Sequence, residues 1–372
     1  MHIAFCSDVD AFKTDHLRDK QWSYRFPGSG WVTCLYRMAA DVGMDVASGD
    51  VAIKNVLSKK WNASDVYVIQ DMVSIEAARL LSMGSKPFLI TCFEAPLYAP
   101  FFHDRAIRVA ENFKFRLGFG FSANCRGDVE NTISPRFCFP SFYLEDMQDV
   151  FPWHDRGRVV LVAGNKYRSK SIFLPGKFSF INILRQLKSK YWEFVSPSFR
   201  KSLNLTLLDQ RLEAVSYFAK ERSLSLYGQG WGDLSALPSS WVNRLNDVLQ
   251  GQYMGLCDDK LDTIRRFKFA ICFENMISPG YVTEKIIDCF VAGTIPLYLG
   301  APDINEIVPE NSFIDVRKFS SFERLDLYIS AMDEQEALEM IAAGRNYLAT
   351  EMGMIHSYEG FAASVVALAS SC

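Results

Sequence analysis

Residues 267–300 read FKFAICFENMISPGYVTEKIIDCFVAGTIPLYLG. The apolar run FKFAICF predicts a buried strand, TEKIIDCFVAG predicts an amphipathic helix that ends at a glycine, and IPLYLG predicts a second buried strand. A helix that connects two strands in this way makes the strands parallel neighbours in one sheet. The stretch therefore predicts an α/β fold with a largely parallel sheet.

The same alternation of strands and helices runs outward through both halves of the chain. The first half offers the strands HIAFCSDV, DVYVIQD and PFLITCFEAP, separated by helix-like segments, and the second half restarts with the strand RVVLVAGN. A turn-rich stretch over residues 140–157 separates the halves. We therefore predict two Rossmann-like, doubly wound domains that face each other across a cleft. Their predicted bounds are 1–150 and 151–350. A C-terminal helix in 351–372 follows, which either crosses back to the first domain or forms an interface with a partner or a membrane surface.

Length and composition limit the classes of protein. A chain of 372 residues is long enough for two cores, and its content of 49% hydrophobic and 22% charged residues excludes wholesale disorder. The formal net charge of −3 disfavours a nucleic-acid-binding protein. No apolar run approaches the roughly 18 residues of a membrane span, and the N-terminus lacks the pattern of a secretion signal. Nine cysteines without a CxxC pair favour a reducing, cytoplasmic environment.

The polar residues between the two strands of the opening stretch predict a ligand site. Glu274 and Asn275 follow the first strand, where α/β sheets present ligands. Thr283 is a candidate N-cap of the helix, whose first-turn amides can bind an anion. Lys285 falls in that same turn, where the helix dipole disfavours a cation, so a nearby phosphate would explain it. A simple capped helix with a surface pair of Glu284 and Lys285 remains the alternative.

Three weaker signals lie elsewhere. Residues 155–222 carry 14 Lys and Arg against 5 Asp and Glu, which fits either a nucleotide-diphosphate surface or a solvated basic face. Gly28 and Gly30 follow the first strand and form either a ligand loop or a simple turn. Asp8 and Asp10 form a DxD pair that is typical of metal-dependent glycosyltransferases, but a helix-capping or loop role is favoured. The histidines and cysteines have no spacing typical of a metal site, so no bound metal is expected.

The motifs FEN, YVTEK, AGTIPLYLG and SFIDV, in this order, closely resemble the signature of the α-1,3/4-fucosyltransferases of glycosyltransferase family 10. The likeness extends more weakly upstream through VVLVAGN, Arg211 and SLSLYGQGW, and in the first half it is confined to TCFEAP. The resemblance implies a bacterial-type enzyme with the GT-B fold. It also implies that GDP-fucose binds in the C-terminal domain, that a glycan acceptor lies mainly against the N-terminal domain, and that transfer inverts the anomeric carbon.

The resemblance implies roles for individual donor-site residues. Arg211 matches the family arginine that contacts the GDP diphosphate, and Lys285 matches the donor lysine of YVTEK. Tyr281 and Glu284 match residues that hold the guanosine or the fucose, and Asn275 matches the asparagine at the strand end. Fixed cations beside the departing diphosphate would stabilise its charge, so no cofactor is required and a divalent cation is at most stimulatory.

Glu94 is the candidate catalytic base. The segment TCFEAP follows a predicted strand, which places the carboxylate at the carboxyl end of the first sheet, and family members carry a comparable glutamate followed by a proline. A surface acid without a catalytic role is the alternative. Met276 departs from the family, which often has a small hydroxyl residue at that position.

The functional hypothesis is the transfer of L-fucose from GDP-fucose to an N-acetylglucosamine or glucose unit, in α-1,3 or α-1,4 linkage. The product would be a bacterial surface polysaccharide, a lipopolysaccharide or a glycosylated protein. The expected location is the cytoplasm, with peripheral association at the inner face of the membrane as an option. The expected partners are GDP-fucose and an oligosaccharide or lipid-linked glycan, but no nucleic acid. The alternatives are a related transferase with a different donor or acceptor and a non-catalytic protein that binds nucleotide sugars.

Overall fold

The computed structural model describes residues 1–26, 28–104, 106–118, 139–165, 180–235 and 237–372. The chain forms two compact units, one comprising residues 1–145 and 350–372 and the other residues 146–349. The first boundary lies five residues earlier than the sequence analysis placed it. Residues just after it contact the second unit, since Gln148 Oε1 accepts a 2.7 Å hydrogen bond from Arg265 Nη1.

The first unit is built on five parallel strands in the order β2-β1-β3-β4-β5. The strands are β1 (His2–Cys6), β2 (Asp45–Ser48), β3 (Val66–Asp71), β4 (Lys86–Cys92) and β5 (Phe115–Gly118). The helices are α1 (Lys20–Ser23), α2 (Gly30–Asp41), α3 (Gly49–Leu57), α4 (Ile75–Ser82) and α5 (Pro100–Asp104), together with α14 (Glu351–Met354) and α15 (Tyr358–Ser370) near the C-terminus. The strand order reverses between β1 and β3, and this switch point is where open α/β sheets bind ligands.

The C-terminal helix α15 packs on α2 and completes the core of the first unit. The rings of Trp31 and Phe361 meet edge to face with centroids 4.9 Å apart. Both side chains are buried, as are Val365 and Ala369 one and two turns further along α15. The apolar character of the tail on most of its faces is explained by this burial.

The second unit is built on six parallel strands in the order β11-β10-β9-β6-β7-β8. The strands are β6 (Gly157–Val162), β7 (Leu224–Tyr227), β8 (Tyr253–Gly255), β9 (Phe267–Phe273), β10 (Ile295–Leu299) and β11 (Ile314–Asp315). The helices are α6 (Phe180–Val195), α7 (Pro197–Leu203), α8 (Leu208–Lys220), α9 (Ser239–Leu245), α10 (Lys260–Ile264), α11 (Glu284–Ala292), α12 (Phe322–Ala331) and α13 (Glu334–Leu348). This is the dinucleotide-fold order, with its switch point between β6 and β9.

The predicted α/β class with two Rossmann-like domains is confirmed. Sequence analysis missed the strands β2 and β8 and the helix α3. The two strands have four and three residues, which is too short for a recognisable alternation of apolar and polar residues. Helix α3 begins at Gly49 directly after β2, so no polar turn separates the two elements in the sequence. The predicted strand RLGFGFSA is observed as β5 up to Gly118, and its remaining residues lie outside the described part of the chain.

Two further observations concern the environment of the protein. Within the described residues, every helix is too short or too polar to cross a lipid bilayer. The cysteines of the described part are free thiols, namely Cys6, Cys34, Cys92, Cys257, Cys272, Cys289 and Cys372.

Candidate functional site

The candidate site lies at the carboxyl edge of the second sheet, at its switch point. Strand β9 ends at Phe273, and Glu274 and Asn275 follow it directly, beside the end of β6. The chain then makes a loop through Gly280 and enters α11 at Glu284. The sequence therefore brings the end of a central strand and the start of a helix together at the edge where ligands bind.

Glu274 is fully buried, and both of its carboxylate oxygens accept hydrogen bonds. Oε1 accepts from the backbone N–H of Thr283 at 2.8 Å, and Oε2 accepts from the Thr283 hydroxyl at 2.7 Å. Oε2 also accepts from Lys285 Nζ at 3.0 Å. A buried carboxylate is tolerated only when it is paired and hydrogen-bonded, and these three donors meet that requirement.

Thr283 occupies the N-cap position of α11, but its side chain does not cap the helix. Its hydroxyl donates to Glu274 and accepts a 2.7 Å hydrogen bond from Lys285 Nζ. Thr283 is therefore the N-cap residue by position, as predicted, but without the side-chain hydrogen bond that usually accompanies this role. The hydroxyl is instead oriented by the charged groups on either side of it, the carboxylate to which it donates and the ammonium from which it accepts.

Lys285 is held between two carboxylates, since its Nζ lies 3.0 Å from Glu274 Oε2 and 3.6 Å from Glu284 Oε1. Burial by itself would lower the pKa of Lys285, but the charges of Glu274 and Glu284 raise it above the ordinary value for lysine. The lysine therefore stays charged at neutral pH. These carboxylates also account for a cation in the first turn of α11, so the helix-dipole argument for a phosphate is weaker than the sequence suggested.

Glu284 continues this charge network away from the strand end. Its Oε1 lies 3.8 Å from Lys260 Nζ, and Lys260 makes a 2.5 Å ion pair with Asp288 one turn along α11. Burial would raise the pKa of Glu284, but Lys285 and Lys260 lower it to about 2. The surface Glu–Lys pair of the alternative interpretation is thus part of a partly buried row of alternating charges.

Arg211 reaches the same strand end from α8. It is only 3% exposed, and its Nη2 donates to the backbone oxygen of Phe273 at 2.7 Å and to Asn275 Oδ1 at 3.3 Å. The charge of Arg211 lowers the pKa of Lys285 and so opposes the effect of the two carboxylates. Arg211 and Lys285 thus bring two cations to one sheet edge, and both side chains are chemically suited to bind the oxygens of a diphosphate.

The other predicted donor-site residues border this cluster. Asn275 is buried, and its backbone oxygen accepts a 3.1 Å hydrogen bond from Leu207 N, just before α8. Tyr281 is buried in the loop between β9 and α11. The same loop is held by Asp303, whose two carboxylate oxygens accept from Gly280 N at 2.9 and 3.0 Å. The structure therefore brings all five predicted donor-site residues to one edge of the second sheet.

Glu94, the predicted base, belongs to the first unit. It is exposed, two residues beyond the end of β4, and its backbone oxygen accepts a 2.8 Å hydrogen bond from His103 Nε2. The neighbouring strand β3 ends in Asp71, whose carboxylate accepts from Ser7 and Thr91, each at 3.3 Å. Burial, together with the charges of Glu94 and Asp8, raises the pKa of Asp71 to about 6. Carboxylates therefore gather at the carboxyl edge of the first sheet.

At Gly28 and Gly30 neighbouring aromatic rings leave no space for a side chain. A Cβ at Gly28, where φ is +88°, would lie 2.4 Å from the ring of Phe139, and a Cβ at Gly30 would lie 2.4 Å from the ring of Tyr358. The N–H of Gly28 also donates to the Tyr358 hydroxyl at 3.1 Å. These contacts explain the two glycines without a ligand, and their role in a ligand loop stays a prediction.

Among the residues that the structure describes, no group of three or more His, Cys, Asp or Glu side chains is arranged to hold a metal ion. Asp8 Oδ1 accepts a 3.1 Å hydrogen bond from Ile75 N at the start of α4, and Asp10 pairs with Lys13 at 2.7 Å. The DxD pair thus makes helix-end and surface contacts, which agrees with the favoured interpretation.

Sequence reasoning passed over several residues of the site. Glu274 was noted at the strand end without a role, and Lys260, Asp288 and Asp303 were not singled out. A signal was available only for Glu274, as a carboxylate within an otherwise apolar strand end. Lys260 and Asp303 come from separate segments that only the folded chain brings to the site, whereas Asp288 lies on α11 itself, one turn beyond Glu284.

Comparison with known proteins agrees with these observations. Residues 204–340 match the family model described as glycosyltransferase family 10 (fucosyltransferase) C-term. The chain is 34% identical over 101 residues to the alpha-(1,3)-fucosyltransferase FucT of Helicobacter pylori, covering 27% of this chain and 21% of that protein. It is 30% identical over 130 residues to the mouse 4-galactosyl-N-acetylglucosaminide 3-alpha-L-fucosyltransferase 9, covering 34% of this chain and 31% of that protein. The matched parts thus span between a fifth and a third of these relatives.

The fold is also shared with solved glycosyltransferases. The crystal structure of a glycosyltransferase from Rickettsia africae ESF-5 superposes with a TM-score of 0.57, covering 100% of this chain and 99% of that chain, at 8% sequence identity. At this identity the likeness concerns the fold alone, and it confirms the predicted GT-B class. Residues 204–340, which hold Arg211 and the segment from Glu274 to Lys285, are thus similar to the C-terminal part of the family 10 fucosyltransferases.

Proposed function

We propose that this protein is an inverting fucosyltransferase that moves L-fucose from GDP-fucose to a hydroxyl of an N-acetylglucosamine or glucose unit. The linkage formed is α-1,3 or α-1,4, and the product is a bacterial surface glycan or a glycosylated protein. The observation that carries the proposal is the pair of cations Arg211 and Lys285 at the switch point of the second sheet, within the segment that matches family 10. The names of the fucosyltransferase relatives suggest the donor.

The chemistry is a single displacement at the anomeric carbon of fucose. The acceptor oxygen forms a bond to this carbon, while the bond from the carbon to the β-phosphate oxygen breaks and its electron pair leaves with GDP. The acceptor proton moves to the carboxylate of Glu94. Because charge builds on the β-phosphate during the reaction, Arg211 and Lys285 stabilise the transition state more than the ground state.

Roles for the remaining residues follow from their positions. Asn275 helps to hold the Arg211 guanidinium at the strand end, because its Oδ1 accepts a 3.3 Å hydrogen bond from Arg211 Nη2. Tyr281 lies in the loop beside this end and is suited to pack against the nucleoside or the sugar. Glu284 stays ionised at neutral pH, so it can accept hydrogen bonds from sugar or ribose hydroxyls.

The test is acceptor-dependent release of GDP from GDP-fucose, measured with a panel of glycans that end in N-acetylglucosamine, N-acetyllactosamine or glucose. We expect GDP release to require one of these acceptors, and NMR of the product to show a fucoside of inverted anomeric configuration. Turnover of another nucleotide sugar in place of GDP-fucose would contradict the donor assignment. Binding of GDP-fucose without turnover on any glycan of the panel would contradict the assignment as an enzyme of this acceptor class.

A further inference from the structure

We infer that Glu274 is a positioning residue that holds Lys285 and the entrance of α11 in the geometry needed to receive a diphosphate. Glu274 does not face the donor as a ligand, because its two oxygens are already engaged by Thr283 and Lys285 and its side chain is fully buried. The inference rests on the proposed function, since it assigns Lys285 to the donor diphosphate.

The contacts of Glu274 form a closed ring of hydrogen bonds. Lys285 Nζ donates to Glu274 Oε2 at 3.0 Å and to the Thr283 hydroxyl at 2.7 Å, and that hydroxyl donates to the same carboxylate oxygen at 2.7 Å. The lysine head group is thereby tied at two points. A lysine side chain has four flexible bonds, and holding it in place before a ligand arrives lowers the entropy lost on binding.

The second carboxylate oxygen of Glu274 binds the backbone at the start of α11. Oε1 accepts from the N–H of Thr283 at 2.8 Å, which ties the start of α11 to the end of β9. This bond fixes the direction in which the first turn of α11 leaves the sheet. The single carboxylate thus positions both the head group of Lys285 and the backbone at the start of α11.

The charge of Glu274 also keeps Lys285 protonated close to a second cation, Arg211. Arg211 and burial both favour loss of the lysine proton, and the carboxylates of Glu274 and Glu284 oppose them. Glu284 is partly exposed and shared with Lys260, so Glu274 is the buried, dedicated counter-charge. Removal of this charge should let Lys285 lose its proton at a lower pH.

The experiment compares Glu274→Gln, Glu274→Asp and Thr283→Val with a matched control, Asp326→Asn. Asp326 pairs with Arg158 at 2.7 Å across the same unit, and Arg158 lies at the amino end of β6, opposite the site. The control therefore removes a carboxylate–arginine pair of the same unit without touching Lys285. Melting temperatures of all four variants show how much of any effect is general destabilisation.

Two measurements are made on each variant. Calorimetry with GDP should show affinity about 10-fold or more lower in Glu274→Gln and an intermediate loss in Thr283→Val, with no change in Asp326→Asn. Trace acetylation of the ligand-free protein, read by mass spectrometry, reports the pH at which Lys285 becomes reactive. That pH should fall by at least about one unit in Glu274→Gln, which is a tenfold change in the neutral fraction at a given pH. It should stay near the native value in Glu274→Asp, which keeps the charge.

The outcomes separate the two proposals. A wild-type protein that binds no GDP would contradict the proposed function. If the wild-type protein binds GDP but Glu274→Gln binds it equally well or more tightly, Glu274 is only an opposing charge and the inference fails. An unchanged labelling profile of Lys285 in Glu274→Gln would also overturn it. If Glu274→Gln does not fold, the GDP affinity of Thr283→Val tests the inference instead, because this variant removes the hydroxyl bridge and leaves the carboxylate in place. Native GDP affinity in Thr283→Val would then overturn the inference.

Discussion

The ring of Tyr358 occupies the space that a side chain on Gly30 would need. An ideal Cβ on Gly30 would lie 2.4 Å from Cδ2 of Tyr358 and 2.9 Å from the Tyr143 hydroxyl. The first residue of α2 and the first residue of α15 are therefore in contact without an intervening side chain. This close approach ties the C-terminal helix to a glycine more than 300 residues away in sequence.

Replacing Gly30 by alanine should destabilise the first unit. The added methyl group must displace a buried aromatic ring, so we expect a loss of about 1–3 kcal/mol in the free energy of unfolding. Ala40→Ser adds one heavy atom at an exposed position of the same helix and should change stability by less than about 0.5 kcal/mol. Urea denaturation followed by circular dichroism measures both. Equal stability of Gly30→Ala and the native protein would show that Tyr358 can move aside.

Replacing either cation of the candidate site should weaken GDP binding. Arg211→Ala and Lys285→Ala each remove a charged hydrogen-bond donor from the diphosphate, which should reduce affinity roughly 10- to 100-fold. Arg244→Ala is the control, because Arg244 is an exposed arginine of the same unit that pairs with Glu213. Isothermal titration calorimetry gives the affinities. Native GDP affinity in both site variants would remove these residues from the donor site.

Replacing Glu94 by glutamine should lower kcat by a factor on the order of 10²–10⁴, the usual size of a general-base contribution. The proton moves only in the transition state, so the KM for the donor and the affinity for GDP should change little. Glu111→Gln alters an exposed carboxylate of the same unit and should keep native turnover. Steady-state kinetics on a competent acceptor decides the matter. Near-native kcat in Glu94→Gln would place the base elsewhere, and Glu284 would be tested next.

Asp71 should make the stability of the first unit depend on pH. Its pKa is raised to about 6 in the folded chain, against about 3.9 in an unfolded one, so the folded state binds the proton more tightly. The ionised carboxylate of Asp71 therefore lowers the free energy of unfolding above pH 6. This destabilisation disappears as the pH falls towards 4, because the folded state then binds the proton. Asp71→Asn should be more stable than the native protein by about 1–2 kcal/mol at pH 7.5.

The advantage of Asp71→Asn should shrink below pH 6 and vanish near pH 4. Asp41→Asn, at an exposed position, should behave like the native protein at every pH. Melting temperatures between pH 4 and pH 8 test the expectation. An advantage of Asp71→Asn that is the same at pH 4 and pH 8 would mean that it does not arise from titration of this carboxylate.

Activity should persist when divalent cations are removed. Arg211 and Lys285 supply the positive charge that a metal would otherwise bring to the departing diphosphate. We expect GDP release in EDTA to stay within a few-fold of the rate with magnesium. An absolute requirement that manganese restores would return Asp8 and Asp10 to consideration as ligands.

Local patterns in the sequence were sufficient for most of the fold. Buried strands such as β1, β9 and β10 are continuous apolar runs between polar or glycine residues, and such runs predict strands because a parallel sheet is covered on both faces. Helix α11 was predicted to end at Gly293 because glycine is favoured just after the last turn of a helix. In the structure Gly293 adopts the left-handed conformation typical of that position. The short strands β2 and β8 were not predicted because three or four residues are too few to show a periodic pattern of apolar side chains.

The sequence by itself also singled out the candidate donor-site residues, since Arg211 and the segment from Asn275 to Lys285 resemble motifs of the family. Only the tertiary structure decided what surrounds them. Glu274 accepts hydrogen bonds from both the Thr283 hydroxyl and the Lys285 amine, and Lys260, on another helix, forms an ion pair with Glu284. The physical reason is that an ion pair depends on distances of a few ångströms between groups that are far apart in sequence, whereas a strand, a helix or a motif is local to the chain.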